Sequence, residues 1–178
     1  MSIPFKTDLT GKVAAVTGGG GILCGCMAKA LAECGAKVAV LDLRIEAAEK
    51  VAAEINAAGG QAKGFACNVL DKTSLEDANV AIEAALGPID LLINGAGGNH
   101  PKGTTSKEYL SADDLQKEQP GVTTFFDLDP ASVQFVFNLN FIGTLLPTQV
   151  FTKSMARRGA GVVINISSMN SFKPLTKI

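Results

Sequence analysis

Four consecutive glycines, Gly18 to Gly21, stand between the β-rich segment Lys12–Thr17 and an apolar stretch that opens with Ile22 and Leu23. Glycines let backbone approach a ligand closely. They also lead into a helix whose first amides point outward, an arrangement that holds a pyrophosphate. Gly18, Gly20, Gly21, Ile22 and Leu23 are the residues placed to do so. Asp42 follows at the end of a second β-rich run, about 20 residues beyond the glycines. A carboxylate there accepts hydrogen bonds from both hydroxyls of an adenosine ribose and repels a 2′-phosphate, which favours NAD and leaves NADP possible through the nearby Arg44. A solvated or helix-capping aspartate is the other reading of Asp42. Asn94-Gly95-Ala96-Gly97 supplies small residues where a ligand would cross a sheet edge. Asn165-Ile166-Ser167-Ser168 puts hydroxyls at the carboxyl end of a later strand.

The elements that must position these residues alternate along the chain. Strands are expected over Lys12–Thr17, Lys37–Leu41, Gln61–Cys67, Ile89–Ile93 and Gly161–Ile166, each apolar on both faces. Helices are expected over Ile22–Cys34, over Ile45–Ala58 with its Gly59-Gly60 stop, and from a cap at Asp71 or Ser74 to Leu86. Pro130–Arg158 reads as a long helix interrupted near Pro147. With right-handed crossovers this is an α/β chain with a doubly wound parallel sheet, the Rossmann fold, carrying strands one to five of the roughly seven usual there. The whole of 1–178 reads as one domain with a polar insertion over Gly98–Asp127, longer than an ordinary connection and so a lid or a disordered segment. A sheet ending at the fifth strand leaves an open apolar edge, so the sequence has the look of a fragment.

Composition excludes several classes. The 16 Lys and Arg nearly balance 17 Asp and Glu, and no basic block marks a nucleic-acid or anionic-membrane partner. No apolar run approaches the roughly 20 residues of a membrane span. Met1–Lys6 lacks the layout of a signal peptide, so the expected location is cytoplasmic. Cys24, Cys26, Cys34 and Cys67 have no metal-ligand spacing and only His100 to assist them. They are expected to be small, reduced and buried, with a redox role for the Cys24/Cys26 pair as the alternative.

Taken in order, TGGGG, LD, CNV, NGAG, NxxG and ISS resemble the short-chain dehydrogenase/reductase family over essentially the whole chain outside the insertion. The resemblance implies that Asn68 and Val69 lie by the adenine, although the family more often has Asp-Val. It implies that Asn94 holds the central strands, with Ala96 and Gly97 against the cofactor. Asn140 matches a helix asparagine that maintains a water relay. Ser168 matches the catalytic serine that polarises the substrate oxygen, and Ser167 is its structural neighbour. Three further positions depart from the family pattern: Ile22 and Cys24 occupy its later loop glycines, and Gly95 replaces its second asparagine. The family's catalytic tyrosine, its acid/base group, would fall about three residues beyond Ile178, followed by a lysine four positions later. Tyr109, in the insertion, has Asp113 at that spacing and cannot take the role.

The implied reaction interconverts a secondary alcohol and a ketone by hydride exchange with the nicotinamide. The loop and the insertion look similar to members acting on sugar acids of the D-mannonate or D-fructuronate type. Asn99, His100, Lys102 and Lys107 of the insertion could meet a carboxylate and hydroxyls, or could simply face water. A non-catalytic dinucleotide-binding module is the alternative. A methyltransferase shares the glycine turn and acidic residue, but NGAG and ISS argue against it. The family also implies a dimer or tetramer, formed through the helix that carries Phe135, Phe137, Phe141 and Phe151, whose rings are expected more often in the core than against a partner.

Overall fold

The computed structural model describes residues 7–116 and 120–168; Met1–Lys6 and the stretch after Ser168 lie outside them. Two compact units share the chain. One is built from the described residues of Met1–Ala96 and Ile142–Ile166, the other from those of Gly97–Phe141 and Ser167–Ile178.

The first unit is a five-stranded parallel sheet in the order β3-β2-β1-β4-β5. Its strands are β1 (Val13–Thr17), β2 (Lys37–Asp42), β3 (Gln61–Ala66), β4 (Leu91–Asn94) and β5 (Val162–Asn165). Helices α1 (Ile22–Glu33), α2 (Ile45–Ala57) and α3 (Lys72–Ala85) form the crossovers, and α6 (Gly143–Phe151) and α7 (Lys153–Arg158) lead into β5. β1 is buried on both faces, as a central parallel strand must be. Ala14 and Val16 pack with Val38, Val40, Ala28 and Val51 on one side. Val13 and Ala15 pack with Leu41, Leu75, Ile82, Leu92 and Phe151 on the other. The order reverses between β1 and β4, and ligands of such sheets bind at the carboxyl ends of strands at that point. β5 pairs with β4, and all four of its residues are exposed.

Two expectations are corrected here. Pro147 does not interrupt a helix; it lies buried inside α6. Its ring would crowd the carbonyl four residues back, at Gly143, and that is where a π-helical turn, Asn138–Ile142, joins α5 (Pro130–Phe137) to α6. The real break comes at Thr152, whose hydroxyl donates to the Thr148 carbonyl oxygen at 2.7 Å. The phenylalanines also divide differently from the expectation. Phe151 is fully buried, whereas Phe135, Phe137 and Phe141 are 44%, 69% and 66% exposed.

In the second unit the insertion is folded rather than irregular. It holds 3₁₀ turns at Pro101–Gly103 and Phe125–Asp127 and the short helix α4 (Asp113–Gln116). A capping box closes the second turn: the Asp127 carboxylate accepts from the Thr124 amide at 2.9 Å and its hydroxyl at 2.7 Å. Asp129 caps α5 through the amides of Ala131 and Ser132.

Candidate dinucleotide site

The glycine loop departs from β1 with Gly18 in the left-handed region, at φ +66°. A side chain is excluded twice over, because a methyl there would also lie 3.0 Å from the Ala96 Cα. The Gly19 amide donates to the Leu41 carbonyl oxygen at 2.9 Å, and the Gly20 amide donates to the Asp42 carboxylate at 3.1 Å. The loop is thereby fastened to the end of β2 by the side chain expected to meet the ribose. Space around Gly20 is tight: a methyl would sit 2.6 Å from the Ala47 Cβ and 2.8 Å from Asp42 Oδ2. The other Asp42 oxygen accepts from the Arg44 amide at 3.1 Å, with the Arg44 guanidinium 3.9 Å away.

Gly21 is the N-cap of α1 and brings no side-chain hydrogen bond, and the first turn holds no acidic residue. Asp71 caps α3, Asp129 caps α5, and α2 carries Glu46 in its first turn. α1 thus presents the amides of Ile22 and Leu23, which have no intrahelical partner by position, together with the positive end of the helix dipole. Ile22 is 87% exposed and Leu23 71% exposed.

The turn after β4 is gripped from β1. Thr17 is fully buried, and its hydroxyl oxygen accepts from the amides of Gly95 at 3.1 Å and Ala96 at 3.2 Å. Asn94, 2% exposed, donates to Thr148 Oγ1 at 2.8 Å and to Asn165 Oδ1 at 2.9 Å, joining β4, β5 and α6. Sequence reasoning passed over Thr17 and Thr148. A threonine ending an otherwise apolar strand was a usable signal for the first, and nothing local marked the second. After β3, Asn68 is exposed and its side chain accepts from the Leu70 amide at 3.0 Å, while Val69 is buried beside it.

The sheet therefore brings Gly18, Gly20, Gly21, Ile22, Asp42, Asn94 and Ala96 to one edge of the first unit. Gly97 and Asn140 meet in the second unit. There the Asn140 amide donates to the carbonyl oxygens of Gly98 and Val136, both at 2.8 Å, and its oxygen accepts from the Gly98 amide at 3.2 Å. A methyl at Gly97 would be 2.7 Å from the same oxygen. Ser168 is exposed three residues past β5.

Several of the insertion's polar side chains form hydrogen bonds within it. His100 Nδ1 accepts from the Lys102 amide at 3.3 Å, and its ring meets Phe135 edge-on at 5.8 Å. The Lys107 ammonium pairs with Asp114, and with Ser111 it holds that buried carboxyl down at about 2. Lys107 therefore already has a carboxylate partner within the insertion. Among the cysteines, Cys24 and Cys67 are buried, Cys26 is exposed and Cys34 is intermediate, so the expectation of burial holds for two of the four. Burial, reinforced by the Asp42 charge, pushes the Cys24 thiol up, and burial pushes that of Cys67 up to about 11. Among the described residues no helix is long and apolar enough to cross a membrane, and no group of three acidic, histidine or cysteine side chains could hold a metal ion.

Comparison with known proteins agrees with this architecture. An uncharacterized oxidoreductase of Haemophilus influenzae is 49% identical over all 178 residues, and the uncharacterized oxidoreductase UxuB of Bacillus subtilis is 45% identical over 99% of the chain. A crystal structure of a candidate D-mannonate oxidoreductase from Haemophilus influenza, with bound NAD, superposes over 97% of this chain with a TM-score of 0.89 at 50% identity. The chain spans 61% of the length of each of the two relatives and 60% of that solved chain. The family model of the short chain dehydrogenases matches residues 12–178, and the chain belongs to that family.

Proposed function

We propose that this chain is the NAD-binding part of an oxidoreductase that interconverts a secondary alcohol and a ketone on a sugar acid. The observation that carries the reading is the bare N-terminus of α1 set beside Asp42. An uncapped helix start without a first-turn acid suits a pyrophosphate, and a carboxylate anchored by the Gly20 and Arg44 amides suits an adenosine ribose. Gly18 and Gly20 let the loop lie close against Ala96, Ala47 and Asp42, where a side chain would collide.

Gly18, Gly20, Gly21, Ile22 and Leu23 would hold the pyrophosphate, Asp42 the ribose, Asn68 and Val69 the adenine side, and Asn94, Ala96 and Gly97 the floor. The nicotinamide, when bound, supplies the hydride chemistry. Ser168 would hold the substrate oxygen by hydrogen bond, and Asn140 would fix the start of the insertion through Gly98. The sugar-acid class draws support from the D-mannonate description of the solved relative. A homodimer or tetramer draws support from the exposed rings of Phe137 and Phe141.

Isothermal titration of the chain with NAD, NADP and S-adenosylmethionine tests the cofactor; NAD binds most tightly, and binding of S-adenosylmethionine in its place refutes the reading. A panel of sugar acids, steroids and acyl thioesters, assayed with the protein in its full natural length, tests the substrate. Turnover confined to steroids or thioesters refutes the sugar-acid class.

A further inference from the structure

Two departures from the family pattern, Cys24 and Gly95, meet in space although 71 residues separate them. Cys24 lies in the first turn of α1, 6% exposed, and its thiol donates to the Gly95 carbonyl oxygen at 3.6 Å. A methyl group built on Gly95 would overlap the Cys24 sulfur and approach the Thr17 carbonyl oxygen to 3.1 Å. The sulfur fills the space that a side chain at residue 95 would need. The resemblance noted from the sequence implies the bulk on the opposite partner, a glycine at the helix position and an asparagine in the turn after β4.

We infer that Cys24 and Gly95 are one reciprocal exchange, and that Cys24 is a positioning residue that sets the height of the Gly95–Ala96 turn beneath the dinucleotide. The inference rests on the NAD-binding reading above. The turn is held from three directions. The Thr17 hydroxyl fastens its two amides, Gly18 abuts Ala96, and the Cys24 thiol supports Gly95 from the helix side. Gly18 belongs to the phosphate loop, so a displaced turn displaces the loop as well. Burial raises the thiol's pKa, which keeps it a neutral hydrogen-bond donor here. Close packing leaves little room for either partner to change alone, and a volume-conserving exchange is what such a joint tolerates best.

The test is a double-variant cycle on the 178-residue chain, with Cys24→Gly, Gly95→Asn and the pair together. NAD affinity is read by calorimetry well below every melting point, alongside the melting temperature itself. Gly95→Asn weakens NAD binding about tenfold or more, and the double variant recovers to within about threefold of the parent. Rescue separates positioning from general damage, because two independent lesions would add. If Gly95→Asn yields no folded protein, Gly95→Ala with and without Cys24→Gly replaces it in the same cycle. A single Gly95 variant that binds like the parent overturns the inference, and so does a double variant no better than that single one. If the parent itself fails to bind NAD, the cofactor reading falls, and the melting temperatures decide the pair: recovery in the double variant supports the exchange, additive losses refute it.

Discussion

Replacing Asp42 with alanine separates its two tasks. The carboxylate, 13% exposed, accepts from the amides of Gly20 and Arg44, each at 3.1 Å. Arg44 is exposed, so its amide turns to water at little cost, and the Gly20 bond accounts for most of the loss. A hydrogen bond to a charged group contributes about 1.5–3 kcal/mol net, so the variant should lose about 1–2 kcal/mol of stability once partial solvation is allowed for. For a chain of this size that lowers the melting temperature by about 2–8 °C. Binding loses more. Two charge-assisted bonds to the ribose hydroxyls, together worth about 3–5 kcal/mol, correspond to a loss in NAD affinity of about 100-fold or more. NADP responds differently, because removing the carboxylate also removes its repulsion of the 2′-phosphate, so the NAD/NADP preference narrows. Calorimetric titration with both nucleotides below the melting transition reads the two effects separately. A variant that binds NAD within about threefold of the parent would refute the assignment of Asp42 to the ribose.

Two further outcomes follow from the side-chain environments. Ellman titration of the native chain at pH 8 should label the exposed Cys26 first and Cys34 more slowly, leaving Cys24 and Cys67 protected until unfolding; fast labelling of Cys67, whose thiol is raised to about 11, would contradict its burial. Asp114, held down at about 2 by Lys107 and Ser111, stabilises the insertion above the unfolded aspartate value of about 3.9 and loses that contribution as pH falls through that value towards 2. Acid titration followed by hydrogen exchange at Ser111–Asp114 should show protection fading in that window in the parent, and the window should vanish in Asp114→Asn.

The sheet was legible because its strands are written in runs such as VAAVT and KVAVLD, apolar on both faces, which only a covered parallel sheet accommodates. The loop and Asp42 were legible for a related reason: backbone chemistry restricts the residue type, and the spacing follows one crossover unit. What could not be read depends on distant partners. Pro147 looks like a helix break until the π-helical turn upstream is known, since the backbone conformation at Gly143 decides whether the ring fits. Phe137, Phe141 and Phe151 share one apolar stretch, yet Phe151 is buried in the core while Phe137 and Phe141 are exposed, a division that composition alone does not show. Cys24 and Gly95 each read as a blemish in a motif, and only their contact shows that they offset one another.

The polar residues at the strand ends also determine which sheet can form. Register pairs Thr17 with Leu41, Ile93 with Val16, and Asn94 with Asn165. Side chains alternate faces with period two, so a one-residue slip of β4 against β1 would turn Asn94 away from Thr148. The Thr17 hydroxyl would then miss the amides of Gly95 and Ala96. Each buried polar group left without its partner costs about 1–3 kcal/mol. Apolar content therefore favours some parallel sheet, and Thr17 and Asn94 select this register. The same two residues hold the turn that faces the glycine loop, so the groups that reject a slipped sheet also shape the site.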